Sequence, residues 1–491
     1  LNLVLTHLKP SEQAELRKAL QLQENINPIQ LNRFLHTPIG EEILTQLGKV
    51  INLPGSQNGK YAIRSAAYRA ARNQDGLSLI NFLRQFSTDV ELNAKNLATI
   101  ANGVSNLIAE TETITAQIQK LSSVEAAADS GVNFANLQDL RTPGSLGYSK
   151  QTITLNDTSR QRQFQVALYR PQQWREGQTP VVIASHGLAS SPKHFKKQAQ
   201  HLASYGYFVA VPQHLGSDNK QFQDLLSGYS QEIFKLNEFI DRPLDVTFLL
   251  NELEKHNHSL YKGRLNLNEV GVIGHSFGGY TALALAGAQI NFEQLEIDCG
   301  QKIWAPNLSL LLQCRALDLE KKTYNFRDSR IKAILAINPV NASLFGQQSL
   351  SQIQIPVFLV AGTEDPATPA LTEQIRSFTW LIGQDKYLTL IKGLTHMDSS
   401  GSDEGIGALL RSIPALRQRQ PGVFKNYSNA MVTAFFGSYI AHSADYRLYL
   451  EPSYADYISQ PPFNMYLLQS SSSDALSQSL ADFRTQSNRD Y

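Results

Sequence analysis

Ser276 lies in Gly274-His275-Ser276-Phe277-Gly278-Gly279, between an apolar run at 270–273 and a small-residue stretch at 280–288. G-x-S-x-G at a strand-to-helix turn exposes a serine hydroxyl at the edge of a sheet, where it can act as a nucleophile. The glycines are a steric need, because so tight a turn would drive side chains two positions either side of the serine into collision. A serine hydroxyl is a weak nucleophile near neutral pH and needs a base, which in turn needs an orienting carboxylate. After Ser276 the chain holds two histidines, His396 and His442. His396 follows the apolar run 387–391, at the carboxyl end of an expected strand, where open α/β sheets place reactive groups. His442 has no such strand before it, so His396 is the expected base. The run 357–361 leads into Gly362-Thr363-Glu364-Asp365-Pro366, and Asp365 is the expected acid. It stands 365 − 276 = 89 positions after the serine and 396 − 365 = 31 before the histidine, room for strand–helix units in each gap.

Acyl transfer also needs N–H donors preset for the tetrahedral oxyanion. The backbone N–H of Phe277, next after the serine, is one expected donor. The other belongs to the loop after the strand 181–185, His186-Gly187-Leu188-Ala189, and Leu188 N–H is the expected donor there. His186 reads as a histidine that fixes the loop rather than one that carries a proton. This chemistry calls for no cofactor and no metal. The two cysteines, Cys299 and Cys314, form no C-x-x-C, and their spacing leaves a disulfide and a pair of reduced thiols both open.

The elements that must position these groups change character near residue 130. Before it, helical spacing dominates: a segment opening at Pro10-Ser11-Glu12, a helix over 39–51 behind Thr37-Pro38, and short helices over 61–71 and 77–86. From 92 to about 127 no proline occurs, and Leu97, Ile100, Val104, Leu107, Thr111, Ile114, Ile118 and Leu121 recur at steps of three and four. That seam predicts one long helix packed on its neighbours; a dimerising coiled coil and a cover over an active-site mouth are the alternatives. Residues 128–150 read as a connecting segment. Beyond it, strands are expected at 152–155 and 164–169 as an antiparallel pair, then at 181–185, 208–211, 270–273, 331–337, 357–361 and 387–391, with helices at 193–204 and 241–253 between them. Strands alternating with helices imply a mostly parallel sheet covered on both faces, an α/β fold behind a smaller all-α domain. The expected division is 1–127 helical, 128–150 linking and 151–491 catalytic, with 293–330 an insertion that could form a cap.

The 44 basic and 43 acidic residues nearly cancel, and no basic run is present, so the charge pattern offers nucleic acid no electrostatic footprint. The uncharged stretches 271–292 and 426–444 read as a strand entering a buried helix and as a core helix, not as membrane spans.

Ser185-His186-Gly187-Leu188, Asp241-Arg242-Pro243-Leu244-Asp245, Gly274–Gly279 and Gly362-Thr363-Glu364-Asp365 together resemble platelet-activating-factor acetylhydrolase-like and dienelactone-hydrolase-like α/β-hydrolases over roughly residues 140–440. The leading part, around 34–47 and 59–86, is similar to a domain of unknown function found on cyanobacterial α/β-hydrolases. The resemblance implies the α/β-hydrolase fold, a lipase-like serine esterase acting on a small-molecule or lipid ester, peripheral contact with membranes, and export to the periplasm or beyond after removal of a leader. The start at Leu1, not Met, agrees with a removed leader or a trimmed chain. The resemblance also favours a Cys299–Cys314 disulfide. Dienelactone hydrolases use a cysteine nucleophile where this chain has Ser276, so lactone specificity does not carry over. A thioesterase, amidase or peptidase would use the same residues, and a non-catalytic scaffold would keep the fold.

Overall fold

The computed structural model describes residues 26–74, 76–129, 131–300, 307–398 and 421–486; the helix expected after Pro10 lies outside them. The described residues divide into two units, one of residues 26–104 and 221–233, the other of the rest.

In the first unit, proline at the first helical turn and a side-chain cap start two helices. Asn27 caps Pro28–Leu35 and Thr37 caps Pro38–Gly48. Helices Lys60–Arg72 and Leu79–Arg84 follow. Leu35, Leu44 and Ile63 form the core, with Phe34, Phe82 and Phe86 packed around it. The second helix stops at Gly48 rather than 51, because Ile51 begins a strand. Strands β1 (Ile51–Leu53), β2 (Gln57–Asn58) and β3 (Glu91–Leu92) make a small antiparallel sheet within this otherwise helical unit. Residues 221–233 join it, with the Arg33 guanidinium donating to Leu226 O.

The second unit is built on nine strands: β4 (Tyr148–Asp157), β5 (Arg162–Pro171), β6 (Thr179–Ser185), β7 (Phe208–Pro212), β8 (Leu265–His275), β9 (Ile331–Ile337), β10 (Val357–Gly362), β11 (Lys386–Ile391) and β12 (Met465–Leu468). Their order is β12-β11-β10-β9-β8-β6-β7-β5-β4. The six from β7 to β11 through β6 run parallel, and β4, β5 and β12 are antiparallel additions at the edges. Every residue of β6, β7, β10 and β11 is buried, as expected where both faces are covered. On one face, Val182, Ala184, Leu335 and Phe358 pack with Ala199 and Leu202 of helix Lys196–Ser204 and with Phe435 and Phe436 of helix Pro421–Tyr439. Alternation turns Val181 and Ile183 to the other face.

Chain order reverses direction at β6: β7 lies on one side of it and β8 on the other. Such a switch point opens a crevice beyond the carboxyl ends of the two diverging strands. Those ends are Ser185, leading to Leu188, and His275, leading to Ser276.

Helix Ala94–Ala128 is continuous and begins in the first unit and ends in the second. Its seam is buried only in the later half, at Ile114 and Ile118; Leu97 and Val104 are exposed. In that half Ser122 Oγ accepts from Leu467 N at 3.2 Å, which covers the open edge of β12. The connecting residues after 130 also pack: Phe134 meets Tyr449 and Tyr454, and Tyr205 Oη donates to Thr142 O. No helix among the described residues is long and apolar enough to cross a membrane.

Candidate active site

Ser276 occupies φ 56°, ψ −117°, a strained conformation for a residue with a Cβ, between strand β8 and helix Phe277–Ala286. Its N–H is held by Ile337 O at 2.9 Å, and its carbonyl accepts from Gly279 N at the same distance. The flanking glycines are forced by the geometry. A Cβ on Gly274 would lie 2.0 Å from Gly278 O, and one on Gly278 would lie 1.9 Å from Ser185 O.

His396 stands in the loop after β11. Its Nδ1 is 2.6 Å from Asp365 Oδ2, and Asp365 is almost fully buried in the loop after β10. The carboxylate is itself fixed on every side. Oδ1 accepts from Ala367 N and Thr368 N, each at 2.9 Å, and Oδ2 accepts from Thr368 Oγ1 at 2.9 Å. A carboxylate on Nδ1 places the proton there and turns Nε2 into the acceptor of the ring. His442 lies elsewhere, its ring half exposed and its Nε2 3.0 Å from Glu269 Oε2.

The ring of His396 packs on that of His275 with centroids 4.7 Å apart, and His275 stacks on His194 at the same spacing. Burial holds the His275 imidazole well below its ordinary range, helped by His194 and His396, and burial holds His194 down to about 3. Both are neutral supports for the ring above them.

Gly187 brings the β6 loop against the serine: a Cβ on it would lie 3.3 Å from Ser276 Cβ. Ala189 N donates to Ser217 O at 2.7 Å, whereas Leu188 N–H and Phe277 N–H donate to nothing among the described residues. Phe277 opens its helix, so its N–H carries the positive end of the dipole. His186 is fully buried and kept neutral, first by burial and then by Arg242; its Nε2 accepts from His214 N at 3.1 Å.

The 293–330 insertion contains a disulfide, Cys299–Cys314, at a Cα separation of 5.8 Å. It is anchored by Glu373, a buried carboxylate with five donors. Oε1 accepts from Asn307 Nδ2, Ser309 Oγ and Gln313 Nε2, and Oε2 from Asn341 N and Ala342 N, at 2.7 to 3.0 Å. Sequence reasoning missed Glu373, Thr368 and the His194–His275 stack. Only Thr368 carries a local signal, since Asp-x-x-Thr is a turn in which the acid accepts from the residue three positions on.

Residues 1–93 match the family described as alpha/beta hydrolase of unknown function (DUF1400), and residues 138–299 match the Chlorophyllase family. No curated protein matches. The chain has the α/β-hydrolase fold, preceded by a region that matches a family of unknown function. The second match spans β4 through the serine turn and stops before Asp365 and His396, so those two rest on the geometry of this chain.

Proposed function

We propose that the protein hydrolyses carboxylic esters, lipid esters among them, through an acyl-enzyme on Ser276. The observation that carries this reading is the 2.6 Å contact between His396 Nδ1 and Asp365 Oδ2, at the same end of the sheet as the strained Ser276 turn. In the first step Ser276 Oγ bonds to the ester carbon, its proton passes to His396 Nε2, and the carbonyl electron pair moves onto oxygen. That oxyanion meets the N–H groups of Leu188 and Phe277. Collapse re-forms the C=O bond and expels the alcohol, which takes the proton from His396. Water then repeats the sequence on the acyl-enzyme, giving the acid and free Ser276. Asp365 holds the ring tautomer and stabilises the imidazolium between the two transfers.

A fluorophosphonate probe should label the wild-type chain and fail on Ser276→Ala. Folded wild-type protein that resists labelling would leave a scaffold role. Thioesters and amides pass through the same oxyanion, so a panel of nitrophenyl esters of rising chain length, a thioester, an anilide, phospholipid, galactolipid and chlorophyll ranks the substrate classes. Chlorophyll belongs in the panel because of the family match over the serine turn. Hydrolysis of the anilide or thioester above the esters would overturn the ester reading.

The disulfide supports export to the periplasm or beyond, and a lipid substrate would bring peripheral membrane contact.

A further inference from the structure

Arg242 is a fully buried guanidinium in the first turns of helix Glu238–Tyr261, one residue before Pro243. Its Nη1 donates to His186 O at 2.7 Å, its Nη2 to Gly187 O at 3.3 Å, and its Nε to Ser217 Oγ at 2.9 Å. Its Cζ lies over the Phe277 ring, 4.3 Å from the centroid. One cation therefore touches the loop after β6 and the residue after the serine, the two places that supply the oxyanion donors.

The geometry of the peptide gives these contacts a consequence. Gly187 C=O and Leu188 N–H belong to one planar trans unit and point in opposite directions. A donor fixed on Gly187 O therefore aims Leu188 N–H, and by polarising the same unit it strengthens that N–H as a donor. The neighbouring groups hold the rest of the loop. Ala189 N–H is committed to Ser217 O, and His186, whose Nε2 accepts from His214 N, donates from Nδ1 to Gly187 O at 2.8 Å beside Arg242, so the unit cannot swing to recruit another partner. On the other side, the cation–π contact holds the Phe277 side chain at the start of its helix, and Phe234 and Phe239 pack edge-on against the same ring.

The cation is locked in turn. Glu238 lies 3.7 Å away, bonds Gly216 N and Ser217 Oγ, and shares Arg162 with Asp245. Asp245 also takes His214 Nδ1 and Arg160. The Asp241-Arg242-Pro243-Leu244-Asp245 segment is thus the far side of the oxyanion site.

We infer that Arg242 is a positioning residue that orients both oxyanion donors, Leu188 N–H and Phe277 N–H, through its hold on the Gly187–Leu188 peptide and the Phe277 ring. The inference rests on the acyl-transfer reading of Ser276. It is tested with wild type, Arg242→Met and Arg242→Lys, by steady-state hydrolysis of a nitrophenyl ester, inhibition by phenylboronic acid as a tetrahedral mimic, and thermal melting. With the donors misaimed, kcat of Arg242→Met should fall about 100-fold, the lower end of the cost of losing one oxyanion donor. KM should stay unchanged, and phenylboronic acid should weaken in step with kcat. A merely structural arginine would lower the melting temperature while leaving kcat per labelled serine and boronate affinity intact, and that result overturns the inference. If Arg242→Met does not fold, Arg242→Lys decides: it keeps a charge beside Glu238 but lacks the fork that spans two carbonyls. Wild-type kcat and boronate affinity in the lysine variant would overturn the inference, and a parallel loss would support it. Wild-type protein that neither labels nor hydrolyses esters would instead remove the underlying reading of Ser276.

Discussion

Replacing Asp365 by Asn exchanges one oxygen for an amide nitrogen with almost no change in volume. The surroundings decide which way the amide turns. At Oδ1 two backbone donors, Ala367 N and Thr368 N, converge at 2.9 Å, and an NH2 there would face both. The amide oxygen therefore keeps that place, and the NH2 takes the Oδ2 position, 2.6 Å from His396 Nδ1. Nδ1 must then accept, its proton moves to Nε2, and the ring can no longer take a proton from Ser276. A wrong tautomer of this kind costs about 10⁴ in kcat, or about 5.5 kcal/mol at 1.36 kcal/mol per tenfold. Thr368 Oγ1 can rotate to donate elsewhere, for example to Asn338 O at 3.2 Å, so the fold should survive. The assay is steady-state hydrolysis of a nitrophenyl ester, with a thermal melt to check folding. A folded Asp365→Asn protein within tenfold of wild type would exclude Asp365 as the orienting acid.

Two further outcomes concern stability. His201 is buried with Nε2 3.1 Å from Thr433 Oγ1, and burial lowers it from the ordinary 6.5 to about 4. The unfolded chain then binds a proton that the folded one refuses, so stability falls as pH drops from 6.5 toward 4, by about 3 kcal/mol from this group. Urea titrations across that window should show a shallower acid loss in His201→Asn; an identical slope would be against it. The Cys299–Cys314 bridge closes a separation of 15 residues, for which about 3 kcal/mol of stabilisation is expected, so a Cys299→Ala, Cys314→Ala double variant should unfold at lower denaturant. An unchanged midpoint would show that Glu373 alone holds the insertion.

The serine turn was legible because its demands are local. A strand, two obligatory glycines and a helix must be contiguous, and the contacts a Cβ would make at Gly274 and Gly278 show why. The central strands were legible for a related reason: burial on both faces writes them as unbroken apolar runs. Strand β12 was not, since Met465–Leu468 is four residues long at the sheet edge and carries no alternation. The heptad seam at 97–121 announced a helix correctly, but periodicity reports amphipathicity and not the partner; Leu97 and Val104 are exposed, and only Ile114 and Ile118 are fully buried. Ile51 was assigned to a helix because its apolar side chain suits either period, and only its pairing with Leu92 makes it strand. Arg242 was visible as part of a motif, yet its role was not. Which acceptors a buried guanidinium meets depends on loops 25 to 56 positions away.

The column of His194, His275 and His396 bears on proton traffic. Three imidazoles in mutual contact would ordinarily compete for a single proton and blur where it resides. Burial withdraws His194 and His275 from that competition. In the proposed reaction, the proton lifted from Ser276 then cannot wander down the stack between acylation and release of the alcohol. It waits on His396 and returns to the leaving group. The stack works as an insulator, keeping a reversible proton transfer confined to a single bond length on a site that is otherwise rich in acceptors.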